Sequence, residues 1–268
     1  MAASWEELRV FVVAKTYPTP STRHEETVCT AGITSDGRWV RLYPVPFRLL
    51  TDEQRYAKWT WIRVRAQRAS TDVRPESYRI DADSISKEGE VRDWSVRWGL
   101  LRPMTSRSLE DIQDANRNSG VSLGMFRPRV IERFRIIADH DWQDTQAKIN
   151  RLMRQQRIPG MGPSLRPLEA LHVKFEYSFR CIGDRCRGHQ MCMYDWEIGQ
   201  AWRTWRHKYR TEESLEQKMR ETWVERKFQK RPGYFIVGTM HGHQSTFILI
   251  GQFSPPTLVA QTPLRLTE

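Results

Sequence analysis

Apolar and polar residues alternate without a break from Leu171 to Cys181, with Leu171, Val173, Phe175, Tyr177 and Phe179 on one side and His172, Lys174, Glu176, Ser178 and Arg180 on the other. A period of two over that length predicts a half-buried β-strand. Thr60 to Ala69 alternates in the same way, with Ile62, Val64 and Ala66 opposed to Trp61, Arg63 and Arg65. Leu8 to Ala14 is too continuously apolar to alternate and reads as a buried strand. Thr27 to Thr34 and Arg38 to Pro44 flank Ser35-Asp36-Gly37, where Asp-Gly supplies the positive φ angles of a hairpin turn. Phe47 to Trp59 reads as a short helix, and the polar stretch from Arg74 to Glu90 as a long loop.

The second half shifts towards a helical period. Ser108-Leu-Glu-Asp111 begins a helix that Asn118-Ser119-Gly120 ends. Asp141 to Ile158 is helical and is broken by Pro159-Gly-Met-Gly-Pro163, after Val130 to Ile137 as a strand. Two further helices are expected over Asp195 to Arg210 and Ser214 to Lys230, the second opened by the capping-box pattern Ser214-Leu-Glu-Gln217. Tyr234 to Thr239 and Thr246 to Phe253 read as central strands paired across Met240 to Ser245.

These elements predict an α+β protein of two units. Residues 1–105 form a strand-rich unit, a small and partly open barrel-like sheet, and residues 106–268 a basic α/β unit clipped by zinc.

The zinc expectation rests on Cys181-Ile-Gly-Asp-Arg-Cys186-Arg-Gly-His189-Gln-Met-Cys192, which puts three of the four cysteines and one of the seven histidines into twelve residues. Thiolate and imidazole are the ligands that tetrahedral zinc prefers, so Cys181, Cys186, His189 and Cys192 are the candidate metal set. If Cys192 cannot turn back to the ion, His172, His207 or Cys29 could take the fourth position. An iron–sulfur cluster on Cys181, Cys186, Cys192 and Cys29 is the rival arrangement.

Charge adds a partner to this picture. Lys and Arg number 43 against 32 Asp and Glu, for a net charge of +11. Most of that excess falls between residues 101 and 231, around the cysteine cluster. Such a balance favours a polyanion, so the leading expectation is a DNA-binding or RNA-binding protein that contacts backbone phosphates. Arg180, Arg185 and Arg187 lie among the ligands, and Arg203, Arg206 and Arg210 recur at helical spacing, which makes these six the candidate phosphate contacts. Two other readings are a nuclease-like, metal-dependent enzyme and a protein-interaction component of an assembly.

For catalysis, His241-Gly-His243 is the candidate pair, since an extended backbone would project both imidazoles to one side. Asp195 and Glu197 are better explained as a helix N-cap and first-turn acid. There is no phosphate-binding glycine loop, nucleophile elbow or helical His-Glu-x-x-His. The apolar run Val10 to Val13 is too short for a leader or a membrane span, so a cytoplasmic protein without membrane attachment is expected.

Overall fold

A computed structural model of the chain describes residues 4–21, 25–70, 72–155 and 169–261. Its first strands are β1 (Glu6–Lys15), β2 (Thr19–Ser21), β3 (Glu25–Thr34), β4 (Trp39–Val45), β5 (Thr60–Arg68), β6 (Ser77–Ile80) and β7 (Ser86–Glu90). The order β1-β3-β4-β6-β5 returns to β1, because β5 also pairs with β1. The barrel is therefore closed with five strands, not partly open as the sequence predicts. All its pairings are antiparallel except β4 with β6.

Closure needs β6, which lies in the stretch read from the sequence as a loop. Its four residues are too few to show a period, yet they place Tyr78 and Ile80 among the barrel core residues Val10, Val12, Val40, Leu42, Ile62 and Val64. The helix expected over residues 47–59 is absent. That segment makes isolated turns instead, with the Leu49 amide donating to the Pro46 carbonyl and the Gln54 and Arg55 amides to the Thr51 carbonyl. Phe47, Leu50 and Tyr56 are too sparse for a helical stripe and pack with the barrel core. The expected hairpin forms between β3 and β4, with Gly37 at φ 80°.

The helix α1 (Trp94–Leu101) leads to a second sheet of β8 (Thr105–Ser106), β9 (Leu123–Phe126), β10 (Val130–Ala138), β11 (Val173–Arg180), β12 (His189–Met193), β13 (Tyr234–Met240) and β14 (His243–Phe253). Its order is β10-β11-β12-β14-β13-β9-β8. The helices are α2 (Leu109–Ser119), α3 (Trp142–Gln155), α4 (Trp196–Trp205), α5 (Glu212–Arg220), which continues as a π-helical stretch over Glu221–Gln229, and the short α6 (Thr257–Gln261). Ser108 caps α2 and Gly120, at φ 74°, ends it, as its sequence predicts. The capping box of α5 falls three residues earlier than expected, at Thr211 and Ser214. The Pro159 to Pro163 break lies outside the described residues.

Both faces of the second sheet are covered, which explains why β13 and β14 are apolar on both sides. Phe235, Val237, Phe247 and Leu249 pack with Leu109, Ile198, Trp202, Leu215 and Met219 of the helices. From the other face, Ile236, Ile250 and Phe253 meet Phe11, Val13, Ala31 and Ile33 on the outside of the barrel. The molecule thus has helices, sheet and barrel as successive layers, with an apolar seam between barrel and sheet.

A candidate metal centre

Four donors from two segments distant in sequence meet at one end of β11. Glu110 comes from the first turn of α2, Cys181 directly follows β11, Cys186 lies in the turn after it, and His189 opens β12. One donor atom from each of the four lies within 4.8 Å of all the others. This group could hold a metal ion.

Local structure sets the geometry. Gly183 at φ 114° and Gly188 at φ 93° let the turn reverse tightly enough for both thiols to face inward, and the Cys181 amide donates to the Cys186 Sγ at 3.1 Å. Glu110 Oε1 lies 2.8 Å from His189 Nε2, while Glu110 Oε2 is buried without a hydrogen-bond partner. A buried carboxylate oxygen with no donor is costly unless something electropositive meets it. Burial pushes the Glu110 carboxyl up, but hydrogen bonds from its own amide and from Cys186, His189 and Ser108 outweigh that and hold it at about 2, so it is ionised. Burial pushes the Cys181 thiol well above its ordinary value.

The structure unites three of the four expected ligands and separates the fourth. Cys192 is three residues from His189 along a strand, so the two side chains leave opposite faces of the sheet. Cys192 stands opposite Glu176 and lines a cavity with Asp139, Lys174 and Tyr194. Glu110 takes its place in the group. Nothing in the sequence near the cysteines marks it, because the link is a tertiary one across 71 residues; its only local signal is an acid in the first turn of a capped helix. The other candidates for the fourth position also lie elsewhere. His172 packs between Trp142 and Trp202, His207 accepts from Arg206, and Cys29 sits on β3 beside Arg41. With Cys29 and Cys192 apart from the pair Cys181 and Cys186, the four-cysteine iron–sulfur arrangement is not assembled.

The six candidate arginines divide into two groups. Arg185 bonds to Asp111 at 2.6 Å and Asp114 at 2.5 Å, which ties the cysteine turn to α2 beside Glu110. Arg180 pairs with Glu132 at 2.6 Å, and Arg203 and Arg206 both engage Glu169. Four of the six are therefore engaged by carboxylates of the same chain, Arg203 and Arg206 sharing one. Arg187 and Arg210 are exposed and have no partner among the described residues. Antiparallel pairing of β10 with β11 sets Val130 opposite Arg180, so exposed Arg127 and Arg129 reach the same end of the sheet as Arg187.

His241 and His243 do not form a pair. Gly242 at φ 78° turns the chain between them and breaks the extended register that would align the imidazoles. Both are exposed, and neither is bonded to a carboxylate among the described residues. Asp195 caps α4 by accepting from the Glu197 amide at 2.6 Å, as predicted. It also makes a buried ion pair across the seam, where Lys58 Nζ lies 2.9 Å from Asp195 Oδ2 and 3.2 Å from Glu197 Oε2. Burial opposes the Lys58 charge, but the two carboxylates outweigh it and raise its pKa. Among the described residues no helix is long and apolar enough to cross a membrane.

No curated protein matches the chain. Residues 6–103, the barrel and α1, match a family model described as a domain of unknown function, DUF8758. Residues 104–267, more than half of the chain and the part that holds the metal group, match the model described as a domain of unknown function, DUF8757, and the chain belongs to that family.

Proposed function

We propose that this protein binds nucleic acid, through backbone phosphates, at a basic surface braced by a structural zinc ion. The metal part rests on a Glu110 carboxylate oxygen within 4.8 Å of two thiols and an imidazole, in a carboxylate whose Oε2 is buried without a hydrogen-bond partner. Two Cys, one His and one Glu suit zinc better than oxygen-seeking magnesium or calcium. Four protein donors also fill a tetrahedral shell. A catalytic zinc keeps one position for water, so this donor set favours a structural role over a metal-dependent nuclease.

The observation that carries the binding reading is the net charge of +11, in a chain that also folds a closed five-stranded Greek-key barrel. Barrels of that size and connectivity resemble the OB type, many of which take oligonucleotides, an argument by analogy at the level of fold. Arg127 and Arg129, just before β10, and Arg187, in the turn before β12, supply exposed guanidinium groups. Zinc would keep the Arg187 turn rigid, so little conformational freedom is lost when phosphate binds.

Fluorescence anisotropy with labelled single- and double-stranded DNA and RNA tests the reading. Affinity should fall linearly on a log–log salt plot, and replacing Arg127, Arg129 and Arg187 by Ala should shallow the slope by roughly 0.7 to 0.9 per lost phosphate contact. Replacing the already paired Arg203 and Arg206 should change it much less. No binding to any of the four substrates at low salt would overturn the proposal.

A further inference from the structure

A cavity of ≈ 280 Å³ lies in the seam between barrel and second sheet. Cys29, Arg41 and Arg74 line it from the barrel side, and Tyr194, Thr239 and His241 from the sheet side. Arg41 and Arg74 are 2% and 4% exposed, so both charges lie in a medium where an anion is held far more strongly than in water.

The two arginines are balanced differently. Arg74 is paired with Asp72 at 2.6 Å and donates to the Thr239 carbonyl across the seam at 2.7 Å. Arg41 has no carboxylate within ion-pair distance among the described residues. Its Nη1 donates to Ser77 Oγ at 3.2 Å and Ser122 Oγ at 2.7 Å, and its Nη2 to the Ser122 carbonyl at 2.9 Å. Glu76 compensates only at one remove, accepting from Ser122 Oγ at 2.6 Å and from the Ser122 amide at 2.8 Å. These bonds fix the guanidinium plane while leaving its charge without a direct counter-ion. A Cβ on Gly238 would come within 3.3 Å of Arg41 Nη2, so glycine there keeps the room that the guanidinium occupies. Thr239 Oγ1 is also buried without a hydrogen-bond partner.

The rest of the wall is largely apolar, with Ile248, Ile250 and Met240 in its lining. A buried guanidinium lacking a counter-ion calls for an anionic group, and an apolar wall with a tyrosine calls for a flat ring. The volume fits one such unit and not a run of them. We propose that the seam cavity binds a single nucleotide, as a free nucleoside 5′-monophosphate or as the terminal nucleotide of a strand, with its phosphate at Arg41 and its base against the isoleucines. This deepens the nucleic-acid reading above and gives it a second, separate contact.

Cys29 is half-buried at the cavity wall and supplies the probe. Burial raises the pKa of its thiol more than Arg41 and Arg74 lower it, so alkylation by iodoacetamide is best followed at mildly alkaline pH. In the full-length protein, peptide mass spectrometry measures the alkylation rate at Cys29 with adenosine, inorganic phosphate, each of the four nucleoside monophosphates, or a 5′-phosphorylated oligonucleotide. Cys192, which does not line this cavity, is the internal control. At least one monophosphate should slow Cys29 about tenfold and leave Cys192 unchanged, while adenosine and phosphate alone require about tenfold higher concentration. Arg41→Gln should remove the protection. In case that variant fails to fold, His241→Glu sets a negative charge at an exposed position on the cavity wall and should weaken calorimetric binding by about threefold or more. Protection by the oligonucleotide but by no monophosphate would assign the cavity to strand ends.

Failure of every nucleotide to protect Cys29 up to about 5 mM would overturn the proposal, as would protection or binding indifferent to both variants. Polymer binding without Cys29 protection would remove this site and leave the reading above intact. Protection by monophosphates without polymer binding would do the reverse.

Discussion

Side chains three residues apart on a strand face opposite ways, and that one fact separates Cys192 from the ligands its neighbours form. The consequence is a sharp difference between substitutions of the same kind. Cys186→Ser and His189→Ala should each lower zinc content, measured by elemental analysis after gel filtration, whereas Cys192→Ser should leave it at one per chain. Glu110→Gln removes the charge and retains most of the shape, so it should retain zinc at neutral pH yet lose it to a chelator about 10- to 100-fold more readily. Zinc loss in Cys192→Ser with full retention in Glu110→Ala would reverse the assignment. Lys15 makes a second case at this scale. Burial, helped by Lys58 and opposed mainly by Glu197, lowers its pKa from 10.5 to about 8, although its ammonium lies over the Phe47 ring at 4.0 Å and donates to the Tyr56 carbonyl at 2.8 Å. Because the unfolded chain holds the proton more tightly, charging Lys15 costs stability below about pH 8, and the cost fades as pH rises towards 10.5. Lys15→Met should therefore stabilise the fold at pH 7 by on the order of 1–3 kcal/mol, with a smaller gain near pH 10 in urea melts. A variant less stable at both pH values would show that the aromatic contacts outweigh burial.

Among the elements, strands with a long period or a strong turn are legible and short ones are not. β11, β5 and the β3–β4 hairpin follow from alternation and from Asp36-Gly37, and α2 follows from Ser108 and Gly120. β6 and β7 do not, because four or five residues cannot establish a period. Ser86 to Glu90 is exposed throughout and is a strand only because β5 offers it a partner. The same limit hides Glu110: the cysteine spacing points to a metal-holding group, but the fourth donor comes from another element. It also made the arginines look free, since Asp111, Asp114, Glu132 and Glu169 reach them only in the folded chain. Packing between elements can be read in one glycine. Gly32 on β3 faces β1 so closely that a Cβ would lie 2.3 Å from Val10 Cγ1 and 2.8 Å from the Phe11 carbonyl oxygen. The side chain could shift, but the carbonyl belongs to the β1–β3 ladder. Gly32→Ala should cost about 1–3 kcal/mol, seen as a lower urea midpoint with an unchanged slope. An unchanged midpoint would mean that the ladder yields freely.

At the level of the whole molecule, the seam joins two family-matched halves by the kind of contact that usually lies inside one domain. Phe11, Val13, Ile33, Leu123, Ile236, Ile250 and Phe253 are all buried there, and Arg41, Arg74 and Lys58 cross it with hydrogen bonds to Ser122, Thr239 and Asp195. Neither half can unfold alone without exposing that apolar face and stranding buried charges. Removing one partner of a buried ion pair typically costs about 3–5 kcal/mol because the other is left uncompensated. Lys58→Met would leave Asp195 and Glu197 without their shared cation although the residue itself belongs to the barrel. The expected outcome in calorimetry is one cooperative transition for the native protein. In Lys58→Met that transition should move down as a whole, and the half with the Glu110, Cys181, Cys186 and His189 group should lose its near-ultraviolet signal at the same temperature as the barrel. Stripping the proposed zinc with a chelator acts from the other half and should likewise lower a single transition. If the barrel instead melts separately, with its midpoint unmoved by chelator, the halves are independent domains in contact, and the seam contributes little to either.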